Sequence, residues 1–154
     1  MFRGRGKGQN FGVFLLFMQL MRYGFDKIPP VTLVAILGQT AIFLGVGDLD
    51  RWFGSWQDVC ISTHYVFRQK QWGRLILGTL LHASDMHLYF NMISLLWKGV
   101  ALERRFKSPY FGFLLAVFTI LSSLTMVCMN WILSEFTRNG EYRLTCAVGF
   151  SGKY

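Results

Sequence analysis

Long apolar runs alternate with short charged segments along this chain, and the lengths of the runs point to a membrane. No charged residue occurs from Gly8 to Met21. That is about 14 residues, short for a spanning helix and closer to an interfacial helix or the apolar core of a signal peptide. The run ends in Met21-Arg22-Tyr23 rather than in small residues, so an uncleaved helix on the membrane surface is expected. Ile28 to Gly47 is also free of charge. Its roughly 20 residues suffice to cross a hydrocarbon core. Pro29 and Pro30 stand at its start, where a helix tolerates proline.

A long mixed segment from Asp48 to Lys70 follows, with Trp52 and Trp56 suited to a membrane interface. Leu75 to Leu81 is apolar but short. Ser84 or Asp85 supplies a helix N-cap, and Met86 to Glu103 reads as a second span that carries His87, Asn91 and Lys98. Arg104, Arg105 and Lys107 close it. Pro109 opens a third helix, and Ser108 to Ser134 is charge-free. These roughly 27 residues are enough to span with tilt. A polar loop, Glu135 to Arg143, leads to a final apolar run that begins at Leu144.

The pattern therefore predicts an all-α membrane protein, a transmembrane helical bundle. Residues 1–27 form an N-terminal segment with an interfacial helix. Spans cover about 28–47, 86–103 and 109–133, a fourth starts from 144, and residues 153–154 diverge. Composition agrees. Of 154 residues, 53% are hydrophobic and 16% charged, against roughly 25% charged in ordinary soluble domains. The net charge of +8 would suit nucleic acid, but long apolar runs interrupt the basic residues. Basic flanks on membrane spans account for both facts, and no nucleic-acid partner is expected. Arg3, Arg5, Lys7, Arg22 and Lys27 precede the first span, and Lys98, Arg104, Arg105 and Lys107 join the second to the third. Both clusters are expected on the cytoplasmic side, with a cytoplasmic N-terminus. His87, Asn91 and Ser151 then share one half of the bilayer. Cys60 and Cys146 would both face the opposite compartment, where a disulfide is open to them if it is oxidising. Packing is the other reading of Cys146. Cys128, inside the third span, is expected to be an inert thiol.

His87 and Asn91 are four residues apart and share a helix face. They either glue helices together or aim donors at a developing negative charge. His82 lies off that face, and no carboxylate or cysteine completes a metal set with it, so no metal and no cofactor are expected. His64 is expected to be solvated. Gly149-Phe150-Ser151-Gly152 sets a serine between small residues, which suits either a nucleophile or helix packing.

Taken in order, Trp72-Gly73-Arg74, His82-x4-His87-x3-Asn91, Glu103-Arg104-Arg105 and Gly149-Phe150-Ser151-Gly152 resemble the rhomboid family of intramembrane serine proteases. The finer runs Ile28 to Leu33, His87 to Met92, Leu96 to Gly99 and Cys146 to Gly152 are similar to a member of the endoplasmic reticulum. The resemblance implies a six-helix bundle in which a serine–histidine dyad cleaves transmembrane protein substrates. Ser151 matches the nucleophile, and His87 and Asn91 match the oxyanion hole. Trp72 and Arg74 match a loop partly immersed in the bilayer, and Glu103 and Arg104 match a structural polar pair. The family's base is a histidine on the sixth helix, and these residues contain no match for it. The chain is therefore expected to be an N-terminal portion, a truncated isoform or an incomplete gene model, and inactive alone. The competing expectation is a non-catalytic membrane protein that holds clients, the full-length rhomboid or quality-control machinery.

Overall fold

The computed structural model describes residues 10–48, 56–148 and 152–153. The fold is mostly helical. α1 (Phe11–Tyr23) is followed by a 3-10 turn at Phe25–Lys27 and by α2 (Pro30–Leu44). Pro30 occupies the first turn of α2, where its missing N–H costs nothing, and the helix stops at Gly45. The long loop is not structureless: it holds α3 (Trp56–Val59), a single π turn at His64–Arg68 and α4 (Arg74–Leu80).

α5 (Asp85–Phe106) begins where Ser84 Oγ accepts the His87 N–H at 3.2 Å, which decides between the two expected caps. Lys107, at φ 66°, breaks the chain before α6 (Ser108–Thr137). α6 is the one helix, among the described residues, that is by itself long and apolar enough to cross a membrane. Only 17% of its most apolar window is buried, so it is not the core helix of a soluble domain. Its exposed Phe113, Phe118, Leu121 and Met129 offer a lipid-facing surface.

Two clusters hold the elements together. Leu16 and Leu20 of α1, Ile36 of α2, and Leu88, Met92, Leu96 and Val100 of α5 form the larger one. Ile61, Val66 and Leu75 of the loop pack on Val127 of α6 in the smaller.

The last apolar run departs from expectation. α7 (Glu141–Leu144) is one turn long, and the fourth span expected from 144 is not helical in the described residues. Instead β1 (Ala147–Val148) pairs antiparallel with β2 (Gly152–Lys153), with Ala147 opposite Lys153. The cause is local. Cys146 is bonded to Cys60, and Ala147 exchanges two backbone hydrogen bonds with Ile61, so the backbone is held extended there.

Candidate functional site

The head of α5 gathers the polar residues. Ser84 caps it, and α-helical spacing then brings His87 and Asn91 one turn apart on one face. Asn91 is 7% exposed. It lines a cavity of about 390 Å³ together with Phe90, Ser94, Lys98, Gly99 and Phe111. A short polar amide in such a setting is a donor in low dielectric, where a hydrogen bond to developing charge is strongest.

His82 sits just before α5 and is buried, its ring edge-on to His87 with centroids 5.2 Å apart. Among the described residues neither ring nitrogen has a hydrogen bond of ordinary geometry. Burial first, and the neighbouring His87 second, lower its pKa to about 4, with the Leu80 backbone opposing weakly. So depressed an imidazole is a poor proton acceptor near neutral pH. His82 lies outside α5, in the segment that enters it, yet its ring meets His87, and nothing in the local sequence marks its burial. Loop packing around it supplies that.

The loop residues Trp72 and Arg74 do not meet His87 or Asn91 in any described contact. Trp72 is 50% exposed and lies edge-on to Phe67. Arg74 stacks over Tyr65, with its guanidinium carbon 4.1 Å from the ring centroid, and donates from Nη1 to the Cys60 carbonyl at 3.1 Å. Cys60 is in turn disulfide-bonded to Cys146, a residue 86 positions away. Arg74 thus acts on the segment that leads to the GxSG sequence through the loop backbone. Of the two readings open to Cys146, the disulfide is the one found. Cys128 is a free thiol on the exposed side of α6.

Loop and α6 are stitched by Thr63 Oγ1 to the Val127 carbonyl at 3.1 Å and Ser123 Oγ to the Leu75 carbonyl at 2.9 Å. His64 is half-buried beside Tyr65 rather than fully solvated, because the π turn folds it against the loop.

At the opposite end of α5, Glu103 and Arg104 grip the start of α2. Glu103, 2% exposed, accepts from Val31 N at 2.9 Å, from Thr32 N at 2.7 Å and from Thr32 Oγ1 at 2.7 Å. Arg104 Nη2 donates to the Lys27 carbonyl at 2.7 Å. Ser151 lies outside the described residues. Among the described residues no three His, Cys, Asp or Glu side chains converge as a metal site.

Comparison with known proteins assigns the class. A family model described as the Rhomboid domain matches residues 69–154, and the chain belongs to this family. Rhomboid-related protein 4 of Mus musculus is 39% identical over 96% of this chain, and that of Homo sapiens 38% identical over the same share. Each is matched over 45% of its own length, so the chain spans less than half of these relatives. Rhomboid-like protein 14, mitochondrial, of Arabidopsis thaliana is 33% identical over 80% of the chain and 37% of its own length. No solved structure matches.

Proposed function

We propose that this chain carries the first part of an intramembrane serine endopeptidase, a multi-pass protein of the endoplasmic reticulum that cleaves transmembrane proteins. Ser151 is the nucleophile, and its base is a histidine supplied from outside these residues. The observation that carries the reading is the placing of His87 and a buried Asn91 one turn apart at the head of α5, just after α4, the helix on which β1 packs.

Attack of the Ser151 hydroxyl on a scissile carbonyl builds negative charge on oxygen. Preorganised His87 and Asn91 donors meet that charge without reorganisation. The Cys60–Cys146 disulfide supports a luminal position for this end, since such bonds persist in oxidising compartments. In this reading α2 and α5 cross the bilayer beside α6, and acyl chains surround the bundle.

The test is Asn91→Ala in the full-length protein, with cleavage of a transmembrane substrate and thermal unfolding measured on one preparation. Loss of one oxyanion donor is expected to lower turnover about a hundredfold, near 3 kcal/mol, at little change in KM. Unchanged specific activity with a lowered unfolding midpoint would assign Asn91 to helix packing instead.

A further inference from the structure

α1 runs parallel to α5 along nearly its whole length. At one end the Gly12 N–H donates to Asp85 Oδ2 at 2.9 Å. Midway Leu16 and Leu20 enter the cluster of Leu88, Met92 and Leu96. Farther on Tyr23 lies edge-on to Trp97, with centroids 5.8 Å apart, and Arg104 reaches the Lys27 carbonyl. α1 itself rises about 20 Å over its 13 residues, and with the turn to Lys27 it runs beside Asp85 to Arg104 of α5, a rise of about 28 Å at 1.5 Å per residue. That is close to the thickness of a hydrocarbon core.

An interfacial helix lies in the membrane plane and carries a charged face. α1 has neither property. Its free face is Phe11, Phe14, Phe17, Met18 and Met21, each between 52% and 60% exposed, and Arg22 is its one charged residue. The contact at Gly12 is close: a Cβ there would stand 2.4 Å from the Asp85 carbonyl oxygen, so no larger residue fits without parting the helices. The Asp85 carboxylate receives the Met86 N–H on Oδ1 and the α1 N–H on Oδ2. Withdrawing α1 would remove one of the two backbone donors that the half-buried Asp85 carboxylate accepts from.

We infer that α1 is a membrane-inserted helix whose free aromatic and methionine face meets lipid acyl chains, and that its N-terminus emerges on the Asp85 side of the bilayer. This revises the surface helix and cytoplasmic N-terminus expected from run length and charge. The basic residues Arg3, Arg5 and Lys7 oppose such a placement through the positive-inside bias. The packing opposes the alternative more directly: a helix parallel to a span shares its depth. The inference rests on the reading of α5 as a span, but not on which face of that span is luminal.

The test places single cysteines at Gly6 (G6C) and at Lys107 (K107C) in the full-length protein, with Cys128 and downstream free thiols changed to serine. A membrane-impermeant maleimide is applied to sealed microsomes, then after permeabilisation. Gly6 and Lys107 are expected on opposite faces: K107C labels in sealed vesicles, and G6C labels only once they are opened. Labelling of both from the same face overturns the inference. Opposite labelling with K107C protected instead would uphold the inserted helix and overturn the luminal placement under the proposed function.

Discussion

Glu103 caps a helix to which it does not belong. Three donors at the start of α2 converge on its carboxylate, so its removal strands two N–H groups and a hydroxyl in a buried place. Glu103→Ala is expected to cost roughly 2–4 kcal/mol, and Glu103→Gln, which keeps one accepting oxygen, distinctly less. Thermal unfolding of both variants in detergent checks the order. His82 makes a pH-dependent contribution. Its folded pKa of about 4 lies below its ordinary 6.5. Between those values the unfolded chain binds a proton that the folded chain refuses, so stability is full above about 6.5 and falls as pH drops toward 4. The unfolding midpoint should decline across that window, and His82→Gln should flatten the decline. A slope that His82→Gln leaves intact would assign the dependence to other groups. Sequence showed that Glu103 and Arg104 were special but not what they held, because Val31, Thr32 and Lys27 lie more than 70 positions away.

Helix α5 organises its neighbours at the level of elements: α1 and α2 both pack on it. Gly99 lets α5 approach Thr32 of α2 closely. A Cβ there would lie 2.9 Å from Thr32 Oγ1 and 3.1 Å from Thr32 Cγ2. Gly99→Leu should part α2 from α5 and loosen the grip of Glu103 with it, at roughly 1–3 kcal/mol, whereas Gly99→Ala should cost less. The unfolding midpoint of each variant in detergent is the measurement. The existence and starts of α2, α5 and α6 were legible to within about two residues, because proline and the Ser84 cap act locally, whereas their ends fell about three or four residues from those expected. The short helices of the loop were not, since each is too brief to carry a period and is held by Arg74, Thr63 and Ser123 reaching to other segments.

For the whole molecule, the Cys60–Cys146 bond ties the loop to the strand that precedes Ser151. Cys60→Ser is expected to lower stability by about 2–4 kcal/mol and to open the loop to limited proteolysis near Ile61. A variant that resists protease as well as the parent would show that the backbone pairing of Ile61 with Ala147 suffices. These 154 residues alone are expected to give no serine-dependent cleavage of a transmembrane substrate in reconstituted membranes. A serine hydroxyl needs a positioned base, and His82 is too weak a base to take that part. Product from this chain that disappears in its Ser151→Ala form would contradict this and require another base.

The sequence by itself determined the helical class, the long helices and the GxSG and His-x3-Asn sequences that led to the family. Those features depend on run length and on spacing within one element. Tertiary structure decided which partners meet across the chain: the choice of disulfide over packing at Cys146, the extended backbone beside it, the burial of His82 and the laying of α1 along α5. Each arises from contacts between segments far apart in sequence. Gly12 and Asp85, 73 positions apart, carry no mark of their contact until the helices pack.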